Sequence, residues 1–281
     1  MPLRLISLAV FVLSASVACS AFAQSKVRLY TLDCGQITVT DANKFSDTQG
    51  YDGRTLDLPV PCYVITHDDK ALLWDAGVAA HFANAGKKGV AIAWYTTRLD
   101  ETLVEQLKRI EMRPDDIDFL AISHVHFDHM GQAASVPNAH LLIGAADFEL
   151  LFSGQAPKAA FDPDLLRPWA ESDNKTLIRG DHDVFGDGRV MILSAPGHTP
   201  GHQVLLVELE NAGRVMLSGD LYHFKENRLH RRLPDFNTSR ADTLASMDRI
   251  EAYLKNIGAR LIIQHDRPTF DAMPKAPAYL D

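Results

Sequence analysis

Six residues, His124-Val-His-Phe-Asp-His129, hold three histidines and a carboxylate directly after the apolar run Phe119-Leu-Ala-Ile122. A short, continuous apolar run bounded by polar residues reads as a strand buried on both faces. Packing alone does not require four metal-affine side chains at the exit of such a strand, so the chain must bring that strand end to a site. The pattern recurs downstream. Strand-like segments Val190–Ser194, Val215–Ser218 and Arg260–Gln264 lead into Pro196-Gly-His-Thr-Pro-Gly-His202, Ser218-Gly-Asp220 and Gln264-His-Asp266. A fold that satisfies all four aims buried strand ends at one rim, where a rigid scaffold carries its site on loops.

The remaining segments supply that scaffold. Lys26–Leu32, Gln36–Thr40, Val60–Thr66 and Ala71–Asp75 are β-branched or aliphatic runs set apart by Gly, Pro and Asp, as strands are. Apolar residues at 99, 103, 107 and 110 predict an amphipathic helix from Leu99 to Ile110, stopping before Pro114. Further strands are expected at His140–Ile143, Thr176–Ile178 and Gln203–Leu209, with helices at Ala145–Phe152 and from Ser239 to Asn256. Between Ala79 and Arg98 lies an irregular insertion, either a lid or a long loop. Strands mixed with helices in this order suggest two packed sheets with helices outside, in one domain spanning 24–281.

Residues 1–23 carry one basic residue, Arg4, then an apolar run from Leu5 to Val17, then Ala21-Phe-Ala23, the three regions of a secretory signal peptide. Its apolar run is shorter than the roughly 20 residues of a membrane span, so an exported, periplasmic or secreted protein starting near Gln24 is expected, with no membrane span after cleavage. Cleavage leaves Cys34 and Cys62, which either pair or sit as small buried hydrophobes. A net charge of -8 argues against nucleic acid or an anionic membrane as partner.

Neutral imidazole and carboxylate are ligands for zinc and similar divalent ions. His124, His126, Asp128, His129, His198, Asp220 and His265 are too many for one tetrahedral ion, but suffice for two ions about 3.5–4 Å apart sharing a carboxylate. Isolated histidines at 67, 81, 140 and 182 are not expected to ligate, and His202 is expected to hydrogen-bond behind the site. Lys225 to Arg232 reads as a solvated basic face, with a face toward an anionic substrate as the alternative. Phe82, Trp94 and Tyr95 either line an apolar channel or pack in the core.

These motifs resemble the metallo-β-lactamase superfamily, whose His-x-His-x-Asp-His signature is matched by His124–His129, with His198, Asp220 and His265 at its later ligand positions. The resemblance implies an α/β fold, a four-layer αβ/βα sandwich of two mixed sheets flanked by helices. It also implies one metal on His124, His126 and His198, another on Asp128, His129 and His265, and Asp220 between them. The ions expected are zinc, with iron, cobalt or manganese as alternatives.

Within that superfamily the chain is most similar to the N-acyl-homoserine lactonases. Leu58-Pro-Val-Pro-Cys-Tyr63, Ser123–Gly131, Tyr222–Asn227 and Pro277-Ala-Tyr279 resemble their segments. The implied reaction is opening of a lactone ring by a hydroxide shared between two metals, on a small lactone or ester substrate; a homodimer is left open. Asp128 or Asp220 is expected to pass a proton to the leaving group. Those lactonases place a tyrosine three residues after the bridging aspartate, where this chain has His223, with Tyr222 just before it, so either is a candidate to contact substrate. Alternatives of the same fold are phosphotriesterases, thioesterases and β-lactam hydrolases, a one-iron persulfide dioxygenase, and a non-catalytic metal-binding scaffold.

Overall fold

Along the central strands, successive side chains enter different apolar layers, and this alternation dictates a sandwich. Leu141 and Ile143 pack in one buried cluster while Leu142 packs in another. Likewise Leu205 and Val207 face one cluster, and Val204 and Leu206 a third. The period of two is that of a pleated strand. The protein is described here from a computed structural model that covers residues 26–154 and 160–281. The leader expected over residues 1–23 lies outside the described residues.

The first sheet is built from β1 (Val27–Val39), β2 (Leu56–His67), β3 (Lys70–Trp74), β4 (Val90–Ile92), β5 (Tyr95–Arg98), β6 (Phe119–Ile122), β7 (His140–Gly144) and β8 (Lys175–Ile178), in the order β4-β5-β1-β2-β3-β6-β7-β8. The second runs β13-β12-β11-β10-β9 from β9 (His182–Asp183), β10 (Val190–Ser194), β11 (Gln203–Leu209), β12 (Gly213–Leu217) and β13 (Arg260–Ile262). A final strand, β14 (Tyr279–Leu280), returns to pair with β1. Trp74, Leu142, Ile192, Leu205 and Leu217 fill the space between the sheets. On the outer face of the first sheet lie α1 (Leu103–Arg109), with Leu103 and Leu107 buried, and, after the one-turn α2 (Phe127–Met130), α3 (Ala145–Phe152), with Phe148 and Leu151. On the outer face of the second, beyond α4 (Lys225–His230), α5 (Arg240–Ile257) buries Met247, Ile250 and Leu254. A short α6 (Arg267–Ala272) follows β13. The expected four layers are present, with both sheets mixed.

Three local expectations are corrected. The strands expected at Lys26–Leu32 and Gln36–Thr40 are one strand, bent by a register shift between Asp33 and Gln36; such a bulge increases local twist. Helix α1 starts at Leu103, because Thr102 Oγ1 accepts the Glu105 N–H while the Glu105 carboxylate accepts the Thr102 N–H, a reciprocal cap that fixes the first turn. The insertion at 79–98 carries the β4–β5 hairpin, which extends the first sheet beside β1. The basic run is a largely exposed face, as expected, carried by helix α4 with Arg228 and Arg231 paired to Glu251 and Asp248 of α5.

Cys34 and Cys62, left open by the sequence, form a disulfide between β1 and β2 with Cα atoms 5.7 Å apart. Cross-linking removes conformational freedom from the unfolded chain. Replacing both by serine is expected to lower stability by about 2–4 kcal/mol, read from denaturant unfolding of the metal-loaded protein; a change under about 0.5 kcal/mol would contradict it.

Candidate metal centre

All seven expected ligands converge, and they do so as two groups. His124, His126, His198 and Asp220 present nitrogen or oxygen atoms within 4.8 Å of one another, as do Asp128, His129 and His265. Asp220 stands between them. Its Oδ2 lies 3.6 Å from His124 Nε2 and 3.4 Å from His198 Nε2, while its Oδ1 lies 3.4 Å from His129 Nε2 and 3.0 Å from His265 Nε2. One carboxylate thus gives one oxygen to each group.

The strand ends explain the convergence. His124 and His126 leave β6, and one turn of α2 presents Asp128 and His129 on the same side. His198 sits on the loop between β10 and β11, Asp220 follows β12, and His265 follows β13. The Pro-Gly-His-Thr-Pro-Gly-His loop is pressed so closely that a Cβ on Gly197 would meet Thr243 N at 2.2 Å, in a backbone conformation (φ +134°) that side chains rarely adopt.

Four of the five histidines have the inward nitrogen aimed by a contact on the far side of the ring. His124 Nδ1 bonds Ser123 Oγ (3.1 Å), His129 Nδ1 donates to Asp75 Oδ2 (2.8 Å), His198 Nδ1 faces Asn237 Oδ1 (3.3 Å), and His265 Nδ1 donates to Pro59 O (2.7 Å). Such outer partners fix tautomer and orientation of metal-ligating imidazoles. Asp75 also accepts from Ser123 N and Oγ, and holds a left-handed backbone (φ 60°) at the end of β3; strain of this kind clusters at functional sites. His202 accepts the Asp220 N–H at Nε2 and donates from Nδ1 to Ala195 O, so it supports the site from behind.

The donor set fits divalent cations. Among the described residues, buried His129 Nε2 and Asp220 Oδ1 have no hydrogen-bond partner, a costly state unless another group satisfies them. His126 Nδ1 lies 2.9 Å from His124 Nε2 and 3.0 Å from His198 Nε2, three lone-pair atoms facing one point. Electrostatics divide the groups. Burial holds His126 down to about 4 and His124 and His198 well below the usual imidazole range. For His129 and His265 burial acts in the same direction, but the charges of Asp220 and Asp128, joined at His129 by Asp75, outweigh it and raise both. Asp220 is pushed up by burial, yet the surrounding histidines, His223 foremost, hold it well below the carboxylate range.

The two candidates for substrate contact face opposite ways. Tyr222 is corrected: its ring packs among residues under the second sheet and its hydroxyl donates to Glu251 Oε1 at 2.9 Å. His223, 2% exposed, lines a cavity of about 480 Å³ over the two groups, and its Nε2 has no hydrogen-bond partner among the described residues although it lies 3.0 Å from Asp220 Oδ2. That nitrogen is thus close to Asp220 without hydrogen-bond alignment, and stands at the wall of the cavity. Trp94 and Tyr95 wall the cavity together with Phe45, Phe127, Phe161 and Phe236, whereas Phe82 packs in the adjoining core. His67, His140 and His182 stand outside the groups, the first two bonded to Asp187 and to Asn174 and Thr176.

Asp75, Asn237 and Phe236 carry functional contacts that the sequence reading missed. Asp75 alone had a signal, a carboxylate ending a buried run just as the ligand loops do.

The family model of the metallo-beta-lactamase superfamily matches residues 55–256. The N-acyl homoserine lactonase AttM of Azorhizobium caulinodans is 30% identical over 266 residues, covering 91% of this chain and 99% of the relative. An N-acyl homoserine lactonase of Bacillus cereus is 33% identical over 181 residues, covering 62% and 68%. A solved structure of an N-acyl homoserine lactone hydrolase, with the product N-hexanoyl-L-homoserine bound at its catalytic metal center, superposes with a TM-score of 0.76 at 26% identity, covering 92% of this chain and all of that one. With the signature, the four layers and the paired His/Asp groups in agreement, the chain belongs to the metallo-beta-lactamase superfamily.

Proposed function

We propose that the protein hydrolyses the lactone ring of N-acyl homoserine lactones at a centre of two divalent ions, zinc foremost, with His124, His126 and His198 holding one, Asp128, His129 and His265 the other, and Asp220 both. The observation that carries this reading is the Asp220 carboxylate, buried, with one oxygen toward each histidine group. When bound, such a pair of ions lowers the pKa of a shared water and polarises a carbonyl oxygen.

The chain's own residues supply the rest. Water adds to the ring carbonyl and gives up one proton, the ring C–O bond breaks, and the departing alkoxide takes that proton; the acid so formed ionises, releasing the second proton to solvent and leaving an acyl-homoserine carboxylate. Asp128, in the same cavity, is the group placed to pass that proton. His223 Nε2–H points its donor at the carbonyl oxygen as charge develops there. The aromatic wall takes the acyl chain and keeps bulk water from the reacting atoms.

The same proposal puts the protein outside the cytoplasm, where diffusible lactones are met: the leader-like residues 1–23 and the Cys34–Cys62 disulfide both suit an oxidising compartment. N-terminal sequencing of protein recovered from the cell exterior or periplasm should begin near Gln24; an uncleaved cytoplasmic chain would contradict it.

The direct test is ring opening of N-hexanoyl- and N-decanoyl-homoserine lactone, beside a β-lactam and a phosphotriester, by metal-loaded protein. Turnover of the lactones well above the other two supports the reading, and the reverse ranking overturns it. His223→Phe is expected to lower kcat about 10²-fold, the scale of losing one oxyanion donor, with two metals retained. His223→Gln, which keeps a donor, should lose less. Equal kcat in all three proteins would remove His223 from the mechanism.

A further inference from the structure

Asp147 is a buried carboxylate that the reaction does not use. It lies in the first turn of α3, fully buried, and no salt bridge to it is formed among the described residues. Three donors meet it instead. Thr199 Oγ1 donates to Oδ2 at 2.6 Å, Gly201 N–H to Oδ1 at 2.6 Å, and Val125 N–H to Oδ2 at 3.3 Å.

The origin of those donors gives the carboxylate its meaning. Val125 lies between His124 and His126 at the end of the first sheet, and Thr199 follows His198 on a loop of the second. The loop is seated directly on the start of α3: a Cβ at Gly144 would meet Gly201 O at 2.0 Å, and one at Gly201 would meet Asp147 N at 2.6 Å. A helix turn can pack there without a charge, and burying an ionised carboxylate is unfavourable unless hydrogen bonds offset it. What this carboxylate adds is a link between the two loops whose rings must meet, with His198 Nε2 3.0 Å from His126 Nδ1. The second group is aimed by other residues, Asp75 behind His129 and Pro59 O behind His265.

We propose that Asp147 is a positioning residue that sets the separation of His126 and His198, and so governs metal affinity at the three-histidine site and not at the site of Asp128, His129 and His265. This rests on the two-metal reading above. Loss of a partner that orients ligands typically costs 10–100-fold in metal affinity.

The test is Co²⁺ binding to metal-stripped protein, measured by competition with a chelator in two backgrounds. His265→Ala cripples the second site and reports the first; His198→Ala does the opposite. Asp147→Asn keeps the side-chain volume but turns one acceptor into a donor. It is expected to weaken Co²⁺ binding about 10–100-fold in the His265→Ala background, and less than threefold in the His198→Ala background. Thr199→Val removes one donor from the opposite side and should reproduce the direction of the effect even where the Asn variant fails to fold. Equal losses in both backgrounds would mean a merely structural carboxylate and overturn the proposal, as would no loss in either. No Co²⁺ binding by the unsubstituted protein would overturn the two-metal reading and this proposal together, an outcome distinct from failure of the proposal alone.

Discussion

Asp220→Ala is expected to lower lactone hydrolysis on the order of 10³-fold or more, beyond the 10²–10³ typical of losing a single stabilising donor, and to leave the protein with fewer than two metals per chain. The reason is the position of the carboxylate between the groups, with nitrogen neighbours 3.0–3.6 Å away on both sides. Removing it leaves those imidazoles without the buried negative charge that complements two cations, and a low-dielectric site makes that charge count for more than it would in water. Asp220→Asn, which keeps the shape without the charge, should fall close to the alanine variant. The check is kcat/KM and metal content on the same samples. An alanine variant that keeps two metals and more than a tenth of the activity would refute the bridging role.

The second large effect is the pH dependence of metal retention. His126, held down to about 4 by burial, stays neutral throughout the range from pH 5 upward, and His124 and His198 are lowered in the same direction. The first site therefore has no proton to expel when a cation arrives. His129 and His265 are raised despite burial, by Asp220 and its neighbouring carboxylates, so without metal each gives up its proton at a higher pH than an ordinary imidazole. Their lone pairs become available only as those protons leave, and affinity at the second site must fall as pH falls. Co²⁺ titration of stripped protein at pH 8 and pH 6 should show the second equivalent weakening by about tenfold per pH unit for each proton expelled, with the first nearly unchanged. Proton release on adding metal near pH 7 should come mainly with the second equivalent. Equal weakening of both equivalents would contradict the assignment.

How much of this was legible in the sequence depended on how local each cause is. The ligands of the signature stand side by side after a buried strand, and His198, Asp220 and His265 each end a strand of their own, so all seven could be read one segment at a time. Two packed sheets with helices outside were legible in the order of strands and helices, while the four-layer sandwich was what the family resemblance implied. What failed to show were contacts whose partners lie far along the chain. Asp75 meets His129 across 54 residues, and Asn237 meets His198 across 39; no spacing rule encodes either. Tyr222 and His223 are adjacent in an extended stretch, so one had to face α5 and the other the cavity, and only the packing of Tyr222 against Glu251 decides which. The start of α1 was misplaced because Leu99 matches the helical spacing, whereas the hydrogen bonds of Thr102 and Glu105 set the boundary. Cys34 and Cys62 became a pair only once strand register brought their Cα atoms within reach.

The central claim, a two-metal lactonase, is tested most directly by titrating chelator-stripped protein with Zn²⁺ while following ring opening of N-hexanoyl-homoserine lactone and bound metal together. The account predicts activity that keeps rising until two equivalents are bound per chain and is flat thereafter. Full activity at one equivalent, or no ring opening with two metals bound, would contradict it.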